Sequence, residues 1–288
     1  MDRDGFATSR WLRVFEKYTF ATVALCPPAA FYNFLVSDGI SAGGTMPKSL
    51  LSDNDSDDSA ENTGPECIFP EFHAQVSDAI NQLGGAVIPR IGLSTPKDAI
   101  WITVDHSCRC RTPAEVYQLL KASDRVAVEL GLNKHAEMVL KKFDSTLNPQ
   151  SEFRVFVRSN RVVAVSQRDD TVYYPTLEQG IDKIFAIIHE FVKNAIVAKS
   201  YWSVPFVVDL YVQHHWKETK IVDFGPWNAR DTSAILFTWD EIDHLHDSGK
   251  FEFRRITCES ECRIGHARLN SAPVDWNMIL SAETGDLE

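Results

Sequence analysis

Two short segments in the C-terminal half combine the composition of buried β-strands with a central aspartate. Residues 206–212 read Phe-Val-Val-Asp-Leu-Tyr-Val, and residues 220–224 read Lys-Ile-Val-Asp-Phe. β-branched and aromatic residues are typical of strands, whereas aspartate is depleted in them. A buried carboxylate is strongly unfavourable unless a cation or hydrogen bonds compensate it. Any fold of this chain must therefore provide partners for Asp209 and Asp223.

The two segments can pair as neighbouring strands through a turn near Lys217–Glu218. Directly opposite side chains on such a pair lie within about 5.5 Å of each other. Two carboxylates at that distance raise each other's pKa unless a cation lies between them. Mg²⁺ takes hard oxygen ligands and shares its coordination with phosphates and water. The pattern favours a magnesium site serving a nucleotide, with Asp209 and Asp223 as ligands; alternatively, one aspartate pairs with an arginine and the other faces water.

Basic side chains that could line the same cleft are present. Arg154 lies in the middle of a strand-like segment and points to the opposite side from Phe153 and Val155. The further candidates are Arg90, Lys97, Lys141, Lys142 and Arg168. Guanidinium and ammonium groups that converge on one cleft would hold a triphosphate. Taken singly, each of these residues is more often a surface charge, and Arg154 is the strongest candidate.

Local signals predict an α+β fold. Capping boxes at Thr112 and Thr238 predict helix starts, and Pro70 opens another helix. Strands are expected at residues 86–88, 99–104, 137–143, 205–212 and 220–224, with a hairpin at 153–158 and 161–168 around Ser159–Asn160. A long helix is expected from Thr176 to residue 196. Helices mixed with antiparallel hairpins indicate two α+β lobes with antiparallel sheets.

The lobes are expected to meet near residues 141–148. The first lobe would span residues 1–140, with the N-terminal segment, and the second lobe residues 141–288 with the C-terminal tail. Residues 52–65 are rich in aspartate and serine and contain no large apolar side chain. Such a stretch cannot bury enough surface to offset its ordering entropy. Residues 52–66 are therefore expected to form a mobile acidic loop, either a solvated linker or a segment for regulation or partner docking.

Charge and hydropathy exclude several classes of protein. The chain has 288 residues, with 29 lysines and arginines against 40 aspartates and glutamates, which gives a net charge of −11. Phosphate neutralisation needs surplus lysine and arginine, so direct binding of nucleic acid or anionic membranes is not expected. The apolar stretch at residues 19–36 is interrupted by Pro27 and Pro28 and follows acidic residues. A cytoplasmic protein is expected.

An ordered series of motifs resembles the cell division cycle protein 123 family. The matching segments run along nearly the whole chain and include residues 69–72, 83–85, 96–102, 137–143, 152–157, 166–169, 209–211, 223–224 and 236–241. The family is similar to ATP-grasp enzymes, in which two α+β lobes clamp ATP and Mg²⁺. The resemblance also implies an assembly factor, or chaperone, for translation initiation factor 2. It would bind the gamma subunit of that factor. Before it binds this partner, the chain is expected to be a monomer.

The resemblance assigns roles to individual residues. Asp209 and Asp223 would be Mg²⁺ ligands, and Arg90 would contact phosphate where the family usually has lysine. Residues 137–143 would form the hinge on the adenine side, and Arg154 would line the cleft. The full set expected to contact the nucleotide is Arg90, Lys97, Glu137, Lys141, Lys142, Phe143, Arg154, Gln167, Arg168, Asp209 and Asp223.

One position departs from the family pattern. The family has Asn-Pro after Asp223-Phe224, whereas this chain has Gly225 and Pro226. Glycine has no side-chain oxygen, so one expected metal ligand is missing; Asn228 or water could replace it. Two other functions therefore stay open, namely an ATP-grasp ligase or phosphoryl-transfer enzyme and an interaction module that binds no nucleotide.

Overall fold

The computed structural model describes residues 3–37, 68–178, 180–213 and 218–263. The expected acidic loop at 52–66, Lys217 of the expected turn and the C-terminal tail after residue 263 lie outside these ranges. The helices are Thr8–Phe15 (α1), Ala29–Val36 (α2), Pro70–Gln82 (α3), Pro113–Lys121 (α4), Asp124–Leu132 (α5), Ile181–Phe191 (α6) and Trp239–Asp247 (α7). The strands are Thr22–Leu25 (β1), Val87–Ile91 (β2), Met138–Lys142 (β3), Glu152–Arg158 (β4), Arg161–Gln167 (β5), Phe206–Val212 (β6), Thr219–Pro226 (β7) and Glu252–Arg254 (β8). Among the described residues, no helix is both long and apolar enough to cross a bilayer.

The first lobe is built on a three-stranded antiparallel sheet in the order β1-β3-β2. Its central strand β3 buries Met138, Val139 and Leu140 completely, because sheet neighbours flank it on both sides. Helices α2 to α5 supply most of the rest of this core, which is rich in aromatic and branched aliphatic side chains. Lys141 lies opposite Ile88 at the end of the sheet where β3 leaves the core.

The second lobe is built on a five-stranded sheet in the order β7-β6-β4-β5-β8. All pairs are antiparallel except β5 with β8. Strand β6 is buried along its whole length, as expected for a strand with a neighbour on each side. Val208 and Leu210 face a core that includes α6, and Val207 faces the smaller core below α7. Because side chains alternate along a strand, Asp209 shares the face of Val207, at the part that α7 leaves uncovered.

Strand β3 of the first lobe ends at Lys142, within the region where the lobes are expected to meet. The N-terminal segment, expected in the first lobe, packs partly against the second lobe. The N-terminal helix α1 packs its buried side chains Trp11 and Phe15 into the core of the second lobe. Trp11 makes an edge contact with Phe224 of β7, the ring centroids being 5.1 Å apart. The helix takes this place because its apolar face completes the core on the α6 side of the second sheet.

Most local predictions agree with the structure. Both capping boxes, at Thr112 and Thr238, are present with reciprocal hydrogen bonds to the glutamate three residues on. The hairpin turns at Ser159 and Asn160 with φ values of 52° and 61°. These are left-handed angles that suit a two-residue hairpin loop. The helix from Pro70 and the pairing of β6 with β7 are also confirmed.

Two element predictions are wrong. The strand expected at 99–104 is a 3₁₀ helix, Lys97–Ile102, in which Trp101 is 53 % exposed. Its apolar composition resembles a strand, but no strand among the described residues pairs with it. The long helix expected from Thr176 begins only at Ile181, because Gly180 interrupts the chain after a separate 3₁₀ turn at Pro175–Leu177.

The packing of α1 predicts that its buried face stabilises the second lobe. Phe15 is fully buried against Tyr201 and Phe224. We expect Phe15→Ala to lower the free energy of unfolding by about 3–5 kcal/mol, through lost burial and the cavity left behind. The exposed Arg13 on the same helix is the matched control, and Arg13→Ala should change it by less than about 0.5 kcal/mol. Urea denaturation measures both, and equal effects would contradict the packing of α1.

Candidate functional site

Three charged side chains form a row across the second sheet. Arg154 of β4 lies opposite Asp209 of β6, which lies opposite Asp223 of β7. Arg154 donates from Nε to Asp209 Oδ1 and from Nη2 to Oδ2, both at 2.7 Å. Its Nη1 donates to the carbonyl oxygen of Ser233 at 2.7 Å. The predicted register of Asp209 and Asp223 is therefore present, but arginine provides the compensation for Asp209.

A second arginine adds to the charge around Asp209. Arg168, just after β5, places Nε 3.2 Å from Asp209 Oδ2. Asp209 is only 8 % exposed. Burial alone would raise the pKa of its carboxyl, but the charges of Arg154 and Arg168 outweigh burial and hold the pKa well below its usual range. The carboxylate is therefore ionised at neutral pH.

Cations from the first lobe reach the second aspartate of the row. Arg90 of β2 is buried and forms an ion pair with Asp223 through Nη1 and Oδ2. Lys141 of β3 donates to the carbonyl oxygen of Val222 at 2.5 Å, and its Nζ lies 4.0 Å from Asp223 Oδ1. Asp223 Oδ1 also accepts from the backbone N–H of Phe224. Two strands of the first lobe thus meet β7 of the second lobe at one carboxylate.

The two aspartates of the row are paired with more positive than negative charge. Four basic side chains, namely Arg90, Lys141, Arg154 and Arg168, lie within 4.0 Å of their carboxylates. Repulsion by Arg168, then burial, lowers the pKa of Lys97. Lys97 itself is exposed and is not among the residues that line the pocket described below. Burial lowers the pKa of Lys141, against the attraction of Asp223.

Four of the charged residues described so far line a pocket between the lobes, called the cleft below. Its walls include Arg90, Arg154, Asp209 and Asp223, together with Gly225 and the loop residue Thr232. Asp231 of the same loop also borders the pocket and lies 2.6 Å from Nε of Arg3. Arg3 in turn binds Glu129 of α5 at 2.7 Å, so it joins the two lobes. No motif in the sequence marks Arg3, Asp231 or Thr232, because they come from a terminal segment and a loop.

Some expected site residues lie elsewhere. Gln167 is opposite Phe153 in the β4–β5 pair, which places it on the face away from Arg154. It is completely buried, and its amide bonds to the backbone of Asp169, Val172 and Ile256. It therefore fixes the end of β5 and does not line the cleft.

The expected hinge contributes one residue to the charged cluster, namely Lys141. Glu137 accepts from the backbone N–H of Ser9 at 3.2 Å, at the start of α1. Lys142 is exposed, and it alternates to the other side of β3 from Lys141. The guanidinium of Arg109 lies over the ring of Phe143, and its Cζ atom is 5.4 Å from the ring centroid.

The donors in the cleft suit a divalent cation only together with phosphate. In the described part of the chain, no three or more histidine, cysteine, aspartate or glutamate side chains are grouped to hold a metal ion. Both oxygens of Asp209 accept from arginine, and Asp223 is paired with Arg90. Mg²⁺ commonly binds through one or two carboxylates plus substrate phosphates and water. Asp209 and Asp223 lie opposite each other on neighbouring strands, which is compatible with that mode of binding. The basic side chains around them are compatible with bound phosphate groups.

The fold and site together define a two-lobed α+β protein with a charged cleft between its lobes. The D123 family model matches residues 11–279. The "Translation initiation factor eIF2 assembly protein" of Schizosaccharomyces pombe is 32 % identical over 97 % of this chain and 90 % of its own length. The protein of the same name from Xenopus laevis is 32 % identical over 81 % of this chain and 75 % of its own.

A solved structure agrees with these sequence comparisons. The structure of Cdc123 from Schizosaccharomyces pombe aligns with a TM-score of 0.72 and 30 % identity, over 89 % of this chain and 97 % of that chain. The chain belongs to the D123 family. The family resemblance and the α+β fold predicted from the sequence are both confirmed.

The charge row predicts a pH-dependent contribution of Asp209 to stability. Asp209→Asn leaves Arg154 and Arg168 without their counter-charge, so we expect a loss of about 3–5 kcal/mol at pH 7. The folded pKa of Asp209 lies below the ordinary value of 3.8. The stabilisation that the ionised Asp209 carboxylate contributes to folding is therefore fully present above about pH 3.8. It is lost as the pH falls towards and through the folded pKa. The stability difference between wild type and variant should narrow from about pH 4 to about pH 2.

Urea denaturation at a series of pH values measures this difference. Asp247→Asn is the matched control, since the side chain of Asp247 is 73 % exposed. A difference for Asp209→Asn that stays constant down to the lowest pH would contradict the ionised pair.

Proposed function

We propose that this chain is an assembly factor for translation initiation factor eIF2 in the cytoplasm, that it binds the gamma subunit of eIF2, and that it holds ATP and Mg²⁺ in the cleft. The assembly role is supported by relatives of that name that cover most of this chain. The nucleotide is supported by the cleft itself. The two parts of the proposal rest on different observations and are tested separately.

The observation that carries the nucleotide is the surplus of cations around the aspartate row. The lowered pKa values of Lys97 and Lys141 mean that their positive charges are disfavoured in the protein alone. A polyphosphate placed among them would remove that penalty by adding negative charge in a partly desolvated site. A triphosphate carries enough charge to engage several basic groups at once, and the resemblance to ATP-grasp enzymes indicates ATP.

The magnesium ion of the proposal would be held by Asp209 and Asp223 together with phosphate oxygens. Both carboxylates are in register on neighbouring strands and border the cleft. Bound there, the ion would neutralise phosphate charge close to the carboxylates. Arg90 and Arg154 already pair with these aspartates and would orient the phosphates from the same positions.

The partner is proposed to be the gamma subunit because the motif series of the chain resembles a family with that role. The acidic surface favours a protein over a nucleic acid as partner, given the net charge of −11. Binding to the gamma subunit would let the eIF2 heterotrimer form around it.

Lys141 and Lys142 offer a matched pair for testing the nucleotide site. We expect wild-type protein to gain thermal stability with MgATP in a saturable way, following RT ln(1 + [L]/Kd). Lys141→Met should weaken ATP binding about ten- to hundredfold, the size of one charge-assisted hydrogen bond. Lys142→Met should bind like wild type, because Lys142 lies outside the cleft. Calorimetric titration measures the affinities.

Two outcomes would contradict the nucleotide site. If both lysine variants bound ATP equally well, the location would be wrong. If the wild-type protein were not stabilised by MgATP at all, the chain would be an interaction module without nucleotide.

The partner is tested with purified eIF2 subunits. We expect immobilised, folded chain to retain the gamma subunit, and not the alpha or beta subunit alone. In Schizosaccharomyces pombe depleted of its 32 %-identical eIF2 assembly protein, expression of this chain should restore eIF2 heterotrimer, measured by co-purification with tagged gamma subunit. Loss of gamma binding in protein that still binds MgATP would refute the partner alone. Release of ADP on addition of an acceptor would point instead to a ligase.

A further inference from the structure

The space beside Gly225 is occupied by another side chain. A Cβ atom built on Gly225 would lie 2.9 Å from Oγ1 of Thr232, closer than real Cβ contacts come. The asparagine expected at this position from the family pattern therefore cannot be added without displacing Thr232. The threonine hydroxyl stands where the missing side chain would begin.

Thr232 is buried yet has an unused polar group. It is 5 % exposed and borders the cleft together with Asp209 and Asp223. None of the described residues forms a hydrogen bond with its hydroxyl, whereas its backbone N–H and carbonyl are both bonded, to Asn228 and Trp239. The hydroxyl oxygen itself keeps accessible surface, unlike the fully enclosed hydroxyl of Thr8. Because Thr232 borders the pocket, this oxygen is free to bond to water or to a ligand in the cleft.

The loop around Thr232 is fixed by contacts on both sides. Arg154 donates to the carbonyl oxygen of Ser233 at 2.7 Å, and Trp239 Nε1 donates to that of Thr232 at 3.2 Å. Asn228 Oδ1 accepts from the backbone N–H of Asp231 at 2.9 Å. The backbone that carries the hydroxyl is thus held in place before any ligand binds. Asn228 serves the turn, which leaves it less suited than Thr232 to replace the absent asparagine.

We propose that the hydroxyl of Thr232 supplies the oxygen ligand that Gly225 lacks, to the divalent cation bound with the nucleotide phosphates. The proposal rests on the proposed function, since it concerns the same cleft. A threonine hydroxyl is a suitable Mg²⁺ ligand, as phosphate-binding loops show. With it, Asp209, Asp223 and Thr232 supply three protein oxygens, and the phosphates and water complete the shell.

The two positions are then coupled. Gly225→Asn by itself places a side chain against Thr232, and it should weaken the dependence of ATP binding on Mg²⁺. Gly225→Asn combined with Thr232→Ala removes the collision and restores an oxygen from the other side. The double variant should therefore bind MgATP better than Gly225→Asn alone.

The test compares Thr232→Val with Thr232→Ser by calorimetric titration of ATP, in EDTA and over a series of Mg²⁺ concentrations. Valine keeps the shape and removes the hydroxyl, whereas serine keeps the hydroxyl. Thr232→Val should raise the Mg²⁺ concentration needed for half-maximal enhancement of ATP affinity by roughly tenfold, the lower end of the cost of perturbing a metal site. ATP affinity in EDTA should not change, and Thr232→Ser should match wild type.

A second readout uses Mn²⁺ in place of Mg²⁺ and follows free Mn²⁺ by electron paramagnetic resonance in the presence of ATP. Thr232→Val should leave more Mn²⁺ free than wild type does. Equal Mg²⁺ and Mn²⁺ dependence in wild type and Thr232→Val would overturn the role of Thr232, while normal ATP binding would leave the nucleotide site standing. If wild type itself bound no ATP, the proposed function would fail instead. Should Thr232→Val not fold, tighter MgATP binding by Gly225→Asn alone than by wild type would overturn the proposal.

Discussion

The fork between Arg154 and Asp209 is the interaction on which the rest of the site depends. It allows a carboxylate to lie in the middle of the fully buried strand β6, where it would otherwise be unfavourable. The third nitrogen of the same guanidinium holds the carbonyl oxygen of Ser233 and so positions the loop that carries Thr232. Lysine could not replace this arginine, because it lacks the planar fork that engages two oxygens and a carbonyl together. One side chain thus couples sheet register, charge compensation and loop position.

Asp223, the second aspartate of the row, has a different structural role, because it joins the two lobes. Its cationic neighbours come from β2 and β3 of the first lobe, so Asp223 ties the two sheets across the cleft. The tie uses charges that a polyphosphate would also attract. Nucleotide binding would therefore redistribute ion pairs already present at the lobe interface, and its affinity depends on the difference between those two arrangements. Lys141 is the informative position for substitution, because among the described residues its ammonium contacts a carbonyl oxygen and only a distant carboxylate.

Much of the site could be predicted because strand patterns fix which residues face each other. The alternation around Asp209 and Asp223 gave their register, and the position of Arg154 followed from the same rule. Gln167 shows the limit, since it lies next to Arg168 in sequence but on the opposite face from Arg154. Arg3 and Thr232 could not be predicted, because no periodic pattern places a terminal segment or a loop against a sheet. The 3₁₀ helix at Lys97–Ile102 was not predicted for a related reason, because a strand-like composition does not show whether a neighbouring strand exists to pair with it.

The chain as a whole carries a net negative charge, whereas basic side chains surround the cleft. This difference restricts which anions can enter the cleft. The net charge of −11 repels extended polyanions, which must approach a large part of the surface. Screening at physiological salt confines each charge to about 8 Å, so a small anion inside the cleft responds mainly to the local cations. The phosphates of a nucleotide bound as proposed would lie beside Arg90 and Arg154, which line the pocket, whereas a nucleic acid strand would leave most of its phosphates outside it. The cleft as proposed would therefore accept a triphosphate, whereas the acidic exterior disfavours RNA.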